Sequence, residues 1–557
     1  MKIPMVEPSS RTVGAAPIFR HMADEIGMVS LMNRLLPWDP HQCRVSPGER
    51  ILLLILDVLA GKTPLYRVSD RLVATDVAIL VGAGRRPEDF TDDSLGRALD
   101  KLARAGPAKV FSALAMAAYT HENIGWGTMH WDSSSRSLEE HYASAVGAPV
   151  RPAYGYSKDH RPDLKQILMT LLVNREGVPL FGSIAAGNQS DKTLNTAMID
   201  QLAQALAPDA LQQLIYVADS ALVTGPNLSR LADAHLTFIS RCPETFRVVT
   251  IVKSAAWAAD DTWQPLGTVA HRTQAASYWA SEQTGEIAER SYRLVVYRSN
   301  TLDQRRMRAL DHEIATERQH LTRQAREFAA QSFACQADAQ QALNRWQTEI
   351  HAQWHPVSGA VVARPHHTRP GRPRQTPLPT DTITTWHGEI QIEAIPSDRR
   401  QQELERRSTF VLMTTVPRER LSARDLLREY KDQSPVERHF HFLKDPLFVD
   451  ALYVKKPERV EALGYVLLMA CLLYSLIERR LRQAALPIPS PSRRVLTRPT
   501  GHEVVRHLQS LQILHDATGE RVIALPTRLQ PTLIAMLTAL QMPATIFTKP
   551  CVRGGPD

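Results

Sequence analysis

The sequence predicts an α/β protein: a mixed sheet with flanking helices, interrupted by a long insertion and bracketed by helical regions at both ends. Three observations predict it. Between residues 126 and 245 the apolar runs follow the order strand, strand, strand, helix, strand, helix, strand, the pattern of a sheet covered by helices. From 246 to 405 charged sequence rich in Arg, Glu and Gln breaks that order, flanked by short β-like runs. After 406 a strand and strong helical periodicity resume, so the sheet is assembled from two separated pieces.

A chain of 557 residues exceeds one ordinary core and implies two to four domains. With 43% hydrophobic and 22% charged residues it is globular, and a net charge of +8 favours a polyanionic partner. The 5 cysteines are scattered and form no C-x-x-C pair, which argues for a reducing compartment and against a zinc site or disulfide framework. Residues 1–20 lack the apolar core of a signal peptide. The long uncharged run Ala462 to Ile477 reads as a buried helix, shorter than a comfortable membrane span. The expectation is a soluble cytoplasmic protein with no membrane partner.

In chain order, residues 1–125 read as helical. Ser46-Pro47-Gly48-Glu49 is a capping box with Pro at the first helical position, and Asp92 to Ala103 recurs at three and four. Arg67, Arg71, Arg85 and Arg86 could touch phosphates or be ordinary surface charges, the second being the stronger reading for any one. In 126–245, Thr128 to Trp131 reads as a strand ending at Asp132 in a polar turn, Ser133-Ser134-Ser135. Gln166–Asn174 and Val178–Ala186 form a hairpin around Arg175-Glu176-Gly177. A capped helix follows from Asp191, then a short buried strand ending at Asp219, a helix from Pro226 and a strand to Arg241. The insertion, 246–405, holds a charged helical stretch from 303 to 354 and a Pro-, Arg- and His-rich run from 361 to 379 that reads as a linker able to lie along DNA. The second catalytic piece spans 406–480, and 481–557 reads as one or two amphipathic helices and a tail.

One stretch concentrates chemistry. Tyr430, Gln433, Glu437 and Lys444 fall within about 60° of each other on a helical wheel. Pro435 breaks the run, and Ser434-Pro435-Val436-Glu437 is itself a capping box, so Glu437 is a cap, a functional carboxylate or both. Asp132 and Asp219 decide in favour of function. Two Mg²⁺ ions about 4 Å apart need hard oxygen ligands, and carboxylates at neighbouring strand ends joined by one from a helix supply them. A single strand-end Asp is more often a turn former; the joint pattern is the signal.

These residues resemble the DDE transposases of bacterial insertion sequences, in the insertion-sequence-four-like branch with its Y-x2-R-x3-E-x6-K signature. Tyr430-x2-Gln433-x3-Glu437-x6-Lys444 fits three of four positions at every spacing. Gly155 to Gln166, Gly187 to Thr193, Val217 to Leu222 and His441 to Phe448 look like blocks of the same family. The resemblance implies an RNase H-like fold interrupted by a largely β insertion before its last catalytic helix. It implies Asp132, Asp219 and Glu437 as catalytic metal ligands for two Mg²⁺ ions, with Mn²⁺ as a substitute, and Tyr430 and Lys444 as phosphate contacts. Gln433 departs from the signature: an amide can bond a phosphate but offers neither charge nor a fork. Lys158, Arg161 and Lys165 are further candidate DNA contacts.

The implied function is cleavage at the ends of an insertion sequence and transfer of the 3′ ends into target DNA. The implied partners are double-stranded DNA, both terminal inverted repeats and target, and a second copy in a DNA-bound homodimer near the nucleoid. The rivals are a non-transposing RNase H-like nuclease and an inactive DNA-binding protein. His160, His439 and His441 read more readily as partly exposed histidines than as proton carriers. Trp257 and Trp263 read as core packing ahead of base stacking.

Overall fold

The computed structural model describes residues 9–60, 67–138, 150–155, 161–269, 276–300, 304–367, 382–432, 440, 442–443, 457–490, 495–516 and 520–550. It divides into two units: Met1–Pro243, Glu286–Arg293 and Met413–Asp557 form the first, and Glu244–Gly285 with Leu294–Leu412 the second. The first unit opens with β1 (Ser9–Thr12) and the helices α1 (Ala16–Glu25), α2 (Met28–Leu35), α3 (Pro47–Leu59), α4 (Val68–Val73), α5 (Val77–Val81), α6 (Asp92–Ala105) and α7 (Pro107–His121).

The capping box forms as the spacing predicts. Ser46 Oγ accepts from the Glu49 amide at 3.1 Å and Glu49 Oε2 from the Ser46 amide at 2.7 Å, closing two orphan donors of α3. The other Glu49 oxygen accepts from Arg85 Nη2 at 2.7 Å, and Arg71 pairs with Asp57 at 2.6 Å. Two of the four candidate phosphate arginines are thus engaged inside the helical region.

The sheet of this unit is built from β2 (Thr128–Leu138), β3 (Lys165–Asn174), β4 (Pro179–Ala186), β5 (Ile215–Ala218) and β6 (Thr237–Arg241), in the order β4-β3-β2-β5-β6. Between them run α8 (Asp191–Ala205), α9 (Pro208–Gln213) and α10 (Gly225–Asp233). β2 pairs β3 and β3 pairs β4 antiparallel, while β2–β5 and β5–β6 are parallel, so the sheet is mixed. β2 does not stop at Asp132. Ser133, Ser134 and Ser135 continue the ladder opposite Thr170, Met169 and Leu168. Serine is small enough to be buried in a strand when its hydroxyl finds a partner, and Ser133 Oγ donates to Asp191 Oδ1 at 2.5 Å. What does end just before Asp132 is the parallel pairing with β5, whose last partners are His130 and Val217.

Gly187, in one of the family-like blocks, has a steric reason. The chain at Ala153 bridges Gln166 at the edge of β3, and Gln166 Nε2 donates to the Gly187 carbonyl at 2.8 Å. A Cβ on Gly187 would stand 2.1 Å from the Gln166 carbonyl oxygen and 2.5 Å from that of Ala153. Only a glycine permits this backbone crossing.

The second unit contains α11 (Arg247–Ala258), β7 (Gln264–Thr268), most of β8 (Ser277–Ile287) and β9 (Arg290–Ser299), then α12 (Gln304–Ala329), α13 (Gln336–Glu349), the antiparallel pair β10 (Val357–His367) and β11 (Thr382–Ile392), and α14 (Ser397–Ser408). The insertion is therefore mixed, not largely β: helices of 26 and 14 residues pack on the β10–β11 pair. Leu310, Leu321 and Phe328 are buried residues of α12: Phe328 lies over Gly388 of β11, and Leu310 packs with Trp354 and Leu404. Their spacings of eleven and seven put them on one face of an otherwise charged α12.

Back in the first unit come the end of β12 (Phe410–Thr414), α15 (Ala423–Lys431), α16 (Pro457–Ala484), β13 (Ile488–Pro489), β14 (Val495–Leu496), α17 (Gly501–Leu508), β15 (Gln512–His515), β16 (Arg521–Ala524) and α18 (Gln530–Leu540). Thr414 Oγ1 donates to the Phe238 carbonyl at 2.5 Å, fixing the returning chain beside β6. α16 is long and apolar enough to cross a membrane by length and composition, with 94% of its apolar window buried inside the protein. It packs against α1, α3, α6, α7, β4 and α18, so it is apolar all round because protein surrounds it. The C-terminal region is not purely helical: β15 pairs β1 and β16, and Asp76 accepts from His515 at 3.0 Å and Arg521 at 2.7 Å.

Gly187→Ala should cost about 1–3 kcal/mol, the usual range for a forced side chain in packed surroundings. Gly225→Ala, with nothing within 4 Å of its Cβ, should cost nothing. Urea unfolding of both variants checks the pair; equal stabilities would contradict the crossing.

Candidate active site

Two parallel ladders set the geometry. β2 and β5 run in the register His130 to Val217, and β5 and β6 in the register Ala218 to Ser240. Carrying the registers on brings Asp132, Asp219 and Arg241 level with one another on three neighbouring strands, about 4.8 Å from strand to strand. All three share the parity of His130 and Val217, so they leave the same face of the sheet. The other face belongs to α8, where Asn195 accepts from the Tyr216 hydroxyl at 2.8 Å and Asp191 from Ser133.

Each carboxylate is oriented by its own backbone. Asp132 is half-buried, and its Oδ1 accepts from the Ser133 amide at 2.7 Å. Asp219 is exposed and caps the short turn Ser220–Leu222, its Oδ1 accepting from the Ala221 amide at 3.1 Å. The Asp219 carbonyl accepts from Ser240 Oγ at 2.7 Å, which ties the end of β5 to β6.

α15 packs over β5 and β6 and delivers Tyr430. Ser422 caps the helix through the Asp425 amide at 3.1 Å, and Ala423, Leu426 and Leu427 are its buried stripe. Arg293 holds its entrance by donating to the carbonyls of Val416 at 3.3 Å and Leu421 at 2.8 Å. At its far end Tyr430 is half-buried, and burial raises its phenol pKa; Arg241 pulls that pKa down and Asp219 pushes it up. The phenol therefore lies within the electrostatic reach of both groups. His130, two residues before Asp132, is fully buried, and burial holds its imidazole down at about 4, with Asp432 opposing and Arg175 adding to the shift. It is neutral at ordinary pH.

Of the sequence-predicted residues, the structure brings Asp132, Asp219 and Tyr430 to one end of the sheet. Arg161 is exposed and forks onto Asp163, with Nη2 to Oδ2 at 2.8 Å, and Lys165 opens β3. Gln433, Glu437, Lys444 and Lys158 lie outside the described residues, as do His160, His439 and His441. Among the described residues no group of three or more His, Cys, Asp or Glu could hold a metal ion. The two level carboxylates are nevertheless the hard oxygen donors a divalent ion takes, one ligand short of the predicted triad. Arg241 is the residue that sequence reasoning passed over. The signal was present: it ends β6 as Asp219 follows β5.

In the second unit Trp257 and Trp263 pack on each other with ring centroids 5.3 Å apart. The Arg298 guanidinium lies 4.6 Å from the Trp263 centroid and 5.4 Å from that of Trp257, a cation–π arrangement. Trp263 is 7% exposed. Packing is the role these rings show.

Residues 132–473, more than half of the chain, match the family described as the transposase DDE domain, and the match begins at Asp132. Residues 9–116 match a domain of unknown function (DUF4277). No curated protein matches the chain.

The coupling of Tyr430 to its neighbours is measurable without activity. Asp219→Asn should lower the ionisation midpoint of Tyr430 and Arg241→Gln should raise it, read from ¹³C-tyrosine NMR across an alkaline titration. Midpoints that ignore both substitutions would separate Tyr430 from the site.

Proposed function

The chain belongs to the transposase DDE-domain family, and from that premise we propose that it cleaves phosphodiester bonds at the ends of its own insertion sequence and joins the freed 3′ ends to target DNA. Transposases of this family bind DNA, cleave it and transfer strands, and they generally use divalent metal ions. The finer reading assigns Asp132, Asp219 and Glu437 as ligands of two Mg²⁺ ions, with Mn²⁺ as a substitute, in an insertion-sequence-four-like member of the family. The observation that supports it is the register of β2 and β5, whose last pair, His130 with Val217, precedes each of the two aspartates by two residues on adjacent parallel strands.

Around that pair the chain's own residues have a division of labour. Asp132 and Asp219 hold negative charge at the sheet end, oriented by the Ser133 and Ala221 amides. When bound there, divalent ions activate the attacking water or 3′-hydroxyl and stabilise the leaving oxygen. Arg241 and Tyr430 offer a cation and a phenol for the phosphate presented to that face. Gln433 and Lys444 extend the contact along the strand, Gln433 by its amide alone. Lys158 and Arg161, which follow β2 in the sequence, are the further candidate DNA contacts. The complex holds two chains and two element ends, and acts in the cytoplasm at the nucleoid.

Asp132→Ala, Asp219→Ala and Glu437→Gln should each lower metal-dependent nicking of the element end by on the order of 10³-fold, the rate equivalent of several kcal/mol of lost charge stabilisation. End binding in a gel-shift assay should survive. Normal cleavage by any one of the three sinks its assignment. For Glu437→Gln, an unchanged melting temperature is expected as well, because Gln still completes a capping box.

A further inference from the structure

We propose that Arg175, in the β3–β4 turn, is a positioning residue that sets Tyr430 against Asp219 and Arg241 by clamping Glu429. This rests on the reading of Tyr430 as a phosphate contact and deepens it. Glu429 is 2% exposed, an unusual place for a carboxylate on the last turn of a helix. Its burial is balanced by a fork: Arg175 Nε donates to Oε2 at 2.8 Å, and Arg175 Nη2 donates to Oε1. A bidentate guanidinium–carboxylate pair fixes direction as well as distance. Tyr430 is the next residue on α15, about 100° further round the helix. Locking Glu429 therefore locks the rotation of α15 that decides where the phenol points.

The turn that carries Arg175 is itself held. The Asn174 amide donates to the Val178 carbonyl at 3.1 Å, and the Gly177 amide to the Asn174 carbonyl at 2.9 Å. Gly177 takes a φ of 88°, where only glycine is unstrained. The neighbouring Glu176 is tied from the other side, its Oε2 accepting from Arg479 Nε at 2.6 Å and its Oε1 from Gln483 at 3.0 Å on α16. Arg479 is buried and also donates to Glu122 at 3.1 Å. Adjacent residues of opposite charge thus grip two helices from one turn, with α16 as the fixed post and α15 as the part being set.

A double-mutant cycle on cleavage of bound element ends tests this. Glu429→Gln should lower the single-turnover rate about 10- to 100-fold, the range for partners that orient site residues from behind. The affinity for the end should stay within about twofold. In a Tyr430→Phe background the same Glu429→Gln should do little more, because the two act in series. Arg175→Lys, which keeps the charge and loses the fork, should retain part of the rate and serves if Glu429→Gln folds poorly. Full additivity, or a loss of end affinity matching the loss of rate, would overturn the inference. If Tyr430→Phe alone leaves the rate untouched, it is the phosphate-contact reading that fails.

Discussion

The site depends on the parallel register of β2 with β5 and of β5 with β6. Strands alternate faces with every residue, so a slip of one position between β2 and β5 would turn Asp132 away from Asp219 and toward α8. Packing forbids that slip. Met129, Trp131 and Tyr216 are buried on the α8 face, while His130 and Val217 are buried on the other. Ser133 to Asp191 and Tyr216 to Asn195 then bond that α8 face in place. The carboxylates inherit a position fixed by neighbours that have no chemistry of their own.

Charge in this chain has two uses, and they are easily confused. The net charge of +8 suits a polyanion. Yet Arg71, Arg85, Arg459, Arg479 and Arg480 all pair with carboxylates within 3.1 Å inside the first unit, where they join helices to one another and to the sheet. Arg241 differs by place: it ends β6 directly after Ser240, the partner of Ala218 that precedes Asp219, and is the cation proposed above for phosphate. The count of basic residues therefore says little by itself, because many of them are scaffolding.

Much of this was legible in the sequence because periodicity and capping are local. The box at Ser46 and the hairpin at Arg175-Glu176-Gly177 could both be read from the sequence. What could not be read was nonlocal. Ser133 to Ser135 looked like a turn because their polarity is visible in sequence and the partners that let them be buried are not. α12 reads in sequence only as a charged helical stretch because its apolar face is only a few residues wide. β15 and β16 are too short to stand out until β1, some five hundred residues earlier, pairs with β15 and completes their sheet. Arg241 and Glu429 escaped for the same reason. A lone Arg or Glu gains its meaning from strand register or from a turn 254 positions away.

The central claim is that Asp132 and Asp219 share a divalent ion. Crystals of the chain with an element end, grown in Mn²⁺ with Asp132 and Asp219 intact, test it directly through anomalous scattering. The account predicts a peak roughly 2.0–2.3 Å from an oxygen of each carboxylate. A peak held by one aspartate alone, or manganese bound only elsewhere on the chain, would contradict it.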